Sequence, residues 1–234
     1  MKDDEIRKQL LGLILSAERK QAISLLLNQV TTSGYERTLR DILEPTLRTF
    51  GDRWSLDKLS LAQGFVAGKV VEDFIDATED LVIQQRNTDQ NPAEPGSPPR
   101  IAVIGNIEDD YHSLGRTMVG SFLRLSGWTV TDLGNDVTAQ DFINAALATG
   151  ASVIGISAMM LTTARNISAV RTLLHEKGLE HRIALAVGGA IFKLRPELAV
   201  EVGGDGTAGI AIDAPELFEQ LRCKLARNER GSPL

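Results

Sequence analysis

Asp110-Tyr111-His112-Ser113-Leu114-Gly115 is the stretch of this 234-residue chain best suited to chemistry. It follows the apolar run 101–105 and precedes a helix-like run over 117–125. A histidine on a strand-to-helix loop, two residues after an aspartate, suits an imidazole presented to a metal. The carboxylate accepts the proton of one ring nitrogen and leaves the other nitrogen free to coordinate. Taken alone, such a histidine is more often solvated or structural, so the motif needs support from other loops. The other two histidines, His175 and His181, flank the end of a helical segment and read as surface residues.

The surrounding pattern supplies those loops. From Ile101 onward, strand candidates at 101–105, 128–133, 152–157, 183–187 and 204–207 alternate with helical segments. The helices are expected near 117–125, 139–147, 165–177, 194–200 and 214–226. Thr138 and Asp141 read as a capping pair for the second of these. Five strands alternating with helices imply an α/β fold, a five-stranded parallel-sheet domain of flavodoxin/Rossmann-like type over 101–234. In such folds the ligand lies beyond the carboxyl ends of the strands. The loops that matter are therefore 106–115, 134–137, 157–163, 188–190 and 206–209.

Residues 1–83 show helical spacing instead. Ile6, Leu10, Leu13 and Ile14 share one face. Ile23, Leu26, Leu27 and Val30 share a second, and Leu39, Ile42, Leu43, Leu47 and Phe50 a third. Leu61, Phe65, Val71 and Ile75 form the fourth, with Gly64 and Gly68 beside them. Thr31-Thr32-Ser33-Gly34 reads as a turn. The expectation is an N-terminal four-helix bundle. Pro45 should kink or break the third helix. Trp54 reads either as a core residue closing the bundle or, with Gly64 and Gly68, as part of an apolar surface covering a ligand. Residues 84–100 hold four prolines and a glycine, and read as an extended linker between two domains.

Composition narrows the classes. A net charge of -6 argues against a general nucleic-acid binder. One cysteine, Cys223, rules out an internal disulfide and a cysteine metal cluster. The apolar stretch 151–161 is too short to span a bilayer, and the first residues lack a signal-peptide core. No membrane association is expected, and a cytoplasmic location is.

Several ligands can be tested against the loops. A dinucleotide site needs G-x-G-x-x-G after the first strand, where Gly105 stands alone. A P-loop is absent. A phosphoacceptor domain matches the acidic run Glu108-Asp109-Asp110, but the third strand ends in Ser157-Ala158 and no lysine follows the fifth.

The remaining loops carry Asp110-x-His112-x-x-Gly115, Ser157-x-Met159 and Gly188-Gly189, in that order. They resemble the cobalamin-binding domain shared by methionine synthase, the adenosylcobalamin mutases and the small corrinoid proteins of methyltransferase systems. That family's pattern is D-x-H-x-x-G, then S-x-L, then G-G; Met159 departs conservatively from the leucine. Met160-Leu161-Thr162-Thr163 also looks family-like, and the helical bundle resembles the family's cap module. The resemblance implies a cobalamin (corrinoid) cofactor bound base-off. His112 would be the lower ligand of cobalt and Asp110 its tuning partner. Gly115, Ser157, Met159, Thr163, Gly188 and Gly189 would hold the buried tail, with Trp54 at the upper face.

The resemblance leaves two classes of function open. The first is a non-catalytic carrier of a methyl group between partner methyltransferases, typically barrel-fold proteins. The second is a cobalamin- or haem-dependent light or redox sensor, an antirepressor acting on a transcription regulator. Light-sensing repressors place a Glu-His pair about ten residues after the bundle tryptophan. Here Trp54 is followed at that point by Ala62-Gln63-Gly64-Phe65, which favours the carrier. A mutase subunit would need a separate barrel chain.

Overall fold

The computed structural model describes residues 3–54, 58–88 and 99–231. The chain divides into two compact units, residues 1–89 and 90–234.

The first unit is helical. Helices α1 (Asp3–Leu15) and α2 (Arg19–Ser33) precede a short turn of helix, α3 (Tyr35–Arg37). A π-helical segment, Thr38–Leu43, then leads into α4 (Glu44–Trp54), and α5 spans Leu61–Thr88. The expected turn at Thr31-Thr32-Ser33 is instead the end of α2. The three hydroxyls donate to the carbonyls of Leu27, Asn28 and Gln29 four residues back, and only Gly34, at φ 86°, ends the helix. Pro45 does not end the helical run, which passes from π-helical to α-helical at Glu44, whose backbone is αR. Pro45 has no N–H to donate to the Asp41 carbonyl, and that oxygen is taken by Arg7 Nε of α1 at 2.7 Å.

The core of this unit matches the expected faces in part. Ile6, Leu10, Leu11 and Ile14 are buried with Leu26, Leu39, Ile42, Leu43 and Phe50. On α5 the buried face is Ala67, Val70, Val71 and Phe74, while Phe65, expected inside, is 67% exposed. Phe74 stacks on Tyr35 at 5.6 Å, and that pair turns the apolar side of α5 away from Phe65. Helix α5 runs past the expected linker start at residue 84. Residues 89–98 of that expected linker lie outside the described residues, as does the Trp54 side chain.

The second unit is the expected parallel sheet. Its strands are β1 (Ile101–Asn106), β2 (Thr129–Asp132), β3 (Val153–Ser157), β4 (Ala184–Gly188) and β5 (Gly206–Thr207). All pairings are parallel and the order is β2-β1-β3-β4-β5. The connecting helices are α6 (Ser113–Leu125), α7 (Ala139–Thr149), α8 (Leu161–Ala164), α9 (Ile167–Glu176), α10 (Ala190–Leu194) and α11 (Leu198–Glu201), and α12 (Ala214–Gly231) closes the chain. The strands read as near-continuous apolar runs because both faces are covered. Phe142, Ile143, Ile167, Val170 and Leu174 of α7 and α9 pack one face. Leu123 of α6 and Phe218, Leu221 and Leu225 of α12 pack the other. Gly155 in β3 leaves room for the Phe218 ring, since a Cβ there would lie 2.6 Å from its tip. Thr138 caps α7 as expected, accepting the Asp141 N–H.

Helix α6 starts at Ser113, one turn earlier than its apolar periodicity suggests, so His112 is its N-cap and Gly115 lies in its first turn. The order reverses between β1 and β3, and the loops after these two strands diverge to opposite sides of the sheet, which opens a crevice there.

One charged cluster ties the ends of this unit together. Glu219 of α12 accepts from Arg222 at 2.6 and 3.0 Å and from Arg100, just before β1, at 3.2 Å. The Arg222 bonds lead, desolvation opposes them, and Arg100 adds to them, so the Glu219 carboxyl falls to about 2. Its stabilisation is therefore present above the ordinary carboxylate pKa and is lost as pH falls towards about 2. Because the side chain is one-third exposed, solvent screening leaves about 1 kcal/mol. Glu219→Gln should lower urea stability by that amount at pH 7. It should also flatten the wild-type loss of stability between pH 5 and pH 2.5, as read from urea midpoints.

Candidate functional site

The loops after β1 and β3 are joined through Asp110. Its side chain is fully buried, and both oxygens are occupied. Oδ1 accepts from Asn106 Nδ2 at 2.9 Å and from the His112 N–H at 3.0 Å, and lies 3.2 Å from His112 Nδ1. Oδ2 accepts from the Met159 N–H at 2.7 Å and from Thr163 Oγ1 at 2.9 Å. Burial works to raise the Asp110 pKa. The N–H groups of Met159 and His112, then Asn106 and Thr163, outweigh it and hold the carboxyl below its usual range. A buried, ionised carboxylate therefore faces one nitrogen of His112 and favours the Nδ1–H tautomer. Nε2 makes no hydrogen bond among the described residues, and the imidazole is half exposed.

Beside this pair lies a cavity of about 200 Å³, walled by the ends of β1, β3 and β4, by α6 and by the start of α12. Gly115, Arg116, Ser157, Gly188, Gly189 and Gly209 line it. The glycines differ in purpose. Gly189 has φ 111°, and a Cβ would stand 2.1 Å from the Ala158 carbonyl oxygen, so the chain itself requires glycine there. Gly188 is an ordinary strand residue, and a Cβ there would meet nothing within 4 Å. The same holds for Gly209, while at Gly115 the nearest atom is Ser157 Oγ at 4.0 Å. Neither backbone conformation nor a protein neighbour demands glycine at these three positions. Their missing side chains keep the cavity open for something that is not protein.

The expected site residues thus separate into two groups. Gly115, Ser157, Gly188 and Gly189 line the cavity. Asp110, His112, Met159 and Thr163 form the hydrogen-bonded hub, and none of the four lines the cavity: Met159 contributes its backbone N–H, and Thr163, only 7% exposed, contributes its hydroxyl to Asp110. Trp54 belongs to the other unit and its side chain lies outside the described residues.

Sequence reading missed Asn106. It is fully buried at the end of β1 and donates to Asp110 Oδ1 and, at 3.1 Å, to the His112 carbonyl. Arg116 in turn donates to Asn106 Oδ1 at 2.8 Å and pairs with Asp132 at 2.9 Å. The available signal was an amide closing an otherwise apolar strand, four residues before the aspartate.

Among the described residues, no cluster of three or more His, Cys, Asp or Glu side chains could hold a bare metal ion. A metal at His112 Nε2 must bring its remaining ligands with it. A glycine-walled slot near a lone imidazole leaves room for part of a bound cofactor.

Comparison with known proteins names that cofactor. The B12 binding domain family matches residues 100–222, which hold the whole site. The chain belongs to this family. A corrinoid is its cofactor. The dimethylamine corrinoid protein of Methanosarcina barkeri is 28% identical over 221 residues, covering 94% of this chain and 99% of that protein. Dimethylamine corrinoid protein 3 of Methanosarcina mazei is 31% identical over 171 residues, covering 73% of this chain and 96% of its own. Dimethylamine corrinoid protein 3 of Methanosarcina acetivorans is 42% identical over 121 residues, 52% of this chain and 56% of that protein. Among solved structures, the monomethylamine corrinoid protein of Methanosarcina barkeri shares the fold, with a TM-score of 0.75 at 20% identity over 94% of this chain and 99% of that one.

The two neighbouring glycines of this B12-binding chain give opposite predictions. Gly189→Ala should destabilise the fold by at least about 2 kcal/mol in urea unfolding, through backbone strain and the Ala158 contact. Gly188→Val should change stability by less than about 1 kcal/mol, yet it should weaken corrinoid binding at least tenfold in a spectroscopic titration.

Proposed function

We propose that the chain is a methyl carrier of a methylamine-type methyltransferase system. It would bind its corrinoid base-off, with His112 Nε2 as the lower ligand of cobalt. The observation that carries this reading is the Asp110–His112 pair: a buried carboxylate takes one ring nitrogen while the other is left free beside an open, glycine-walled cavity. When bound, the cobalt supplies the nucleophilic and leaving-group chemistry of methyl transfer.

The protein's own residues supply the rest. Asp110 orients the imidazole by holding Nδ1 and leaves Nε2 to coordinate. Asn106, the Met159 N–H and Thr163 keep that carboxylate ionised and stationary. Gly115, Gly188 and Gly209 would make room for the nucleotide tail, and Ser157, which lines the same cavity, would offer its hydroxyl to a tail nitrogen. A carrier of this kind would depend on partner methyltransferases of barrel fold. The helical unit would act as a cap, and the segment between α5 and β1 as the linker that lets partners reach the cofactor. Among the described residues, no helix is long and apolar enough to cross a membrane. The names of the relatives point to a methylated amine as the ultimate methyl donor.

Reconstitution with hydroxocobalamin tests the ligation. Wild type should give a base-off, histidine-ligated spectrum, and His112→Ala should bind corrinoid but lose the histidine-ligated form. Failure to bind corrinoid, or tighter binding of haem, would sink the reading. Adding reductant, a methylamine and its methyltransferase should methylate the bound corrinoid. A light-driven change in oligomeric state without methyl transfer would support the sensor instead.

A further inference from the structure

The loop bearing His112 is held from a second side, by the connection between β2 and α7. Beside the backbone bonds of Asn106 to Gly134 and Val137, Asp136 makes three bonds to this loop. Its backbone N–H donates to the Asp110 carbonyl at 3.2 Å. Its Oδ1 accepts the Asp109 N–H at 2.8 Å, and its Oδ2 accepts the Tyr111 hydroxyl at 2.6 Å. The three residues that precede His112 are thus each bonded to one residue. The Tyr111 hydroxyl, then the Asp109 N–H, outweigh slight desolvation and hold the Asp136 carboxyl below its usual range, so it is an ionised acceptor.

Two features set this contact apart from ordinary loop packing. Asp109 and Asp136 both have left-handed backbones, at φ 67° and 58°, which are uncommon for residues other than glycine. Such conformations persist where the surroundings over-determine them, and they cluster at functional sites. Tyr111 is also 64% exposed, so burial does not account for its placement. The Asp110 hub already secures the loop to β3. The second anchor acts on the Asp109 N–H, the Asp110 carbonyl and the Tyr111 hydroxyl, and so restrains the backbone that carries His112.

We propose that Asp136 is a positioning residue: by clamping residues 109–111 it sets how readily His112 takes the axial position of cobalt. This rests on the reading of His112 as the lower ligand. A clamped loop loses less freedom when the imidazole binds, so the ligated form is favoured. Releasing the clamp should shift the balance towards the unligated form without removing the cofactor, because Asp136 and Tyr111 lie outside the cavity lining.

The test uses the full chain loaded with cob(II)alamin. Electron paramagnetic resonance reads the histidine-ligated fraction from the nitrogen splitting on cobalt, and labelling the protein's histidines with nitrogen-15 identifies its source. Tyr111→Phe removes one exposed hydroxyl. Asp136→Asn keeps a residue that tolerates the left-handed backbone but loses the charge. Each should lower the ratio of ligated to unligated cobalt about threefold to tenfold, the worth of a hydrogen bond. Corrinoid stoichiometry and melting temperature should stay at wild-type values. If Tyr111→Phe and Asp136→Asn both keep the wild-type ratio, the clamp is overturned while His112 ligation stands. If wild type itself shows no label-sensitive splitting, the ligation reading fails and the clamp fails with it.

Discussion

The site depends on the buried Asp110 carboxylate. An ionised group with no solvent exposure survives only where donors replace the water it has lost. Here the donors come from four places: the end of β1, the His112 loop, the β3–α8 connection and α8 itself. The same bonds that make the charge tolerable fix the separation of the β1 and β3 loops. Because one of its oxygens faces His112 Nδ1, the carboxylate also directs the free nitrogen outward. Loop packing and imidazole orientation are therefore set by one group.

The sheet order makes this convergence possible. With β1 and β3 adjacent and their following helices on opposite faces, the two loops separate and leave the space between them unfilled. The glycines at 115, 188 and 209 extend that space under α6 and α12. Phe142 and Phe218 fill the two faces of the sheet more deeply, so the opening is confined to the carboxyl ends of the strands.

Much of this was legible in the sequence. The five strands, the alternation and the capping pair Thr138–Asp141 follow from residue types and periods that act over a few positions. The cofactor loops were legible because their motifs stand at strand ends in a set order. Phe65 misled because an amphipathic period gives the width of a helix face but not its rotation, which the Tyr35–Phe74 stack decides. The start of α6 was missed because its first turn carries Ser113 and Gly115, which give no apolar signal.

By itself the sequence determined which residue types stand at which loops: an aspartate two before a histidine, a serine ending the third strand, a glycine pair ending the fourth. Tertiary structure alone decided what each does. Met159 and Thr163 serve Asp110 across separations of 49 and 53 residues, and contacts that distant leave no local pattern. Gly188 and Gly189 are neighbours of one type, yet one opens a cavity and the other is wedged against Ala158. That difference arises because the backbone turns between them, which only the packed chain can show.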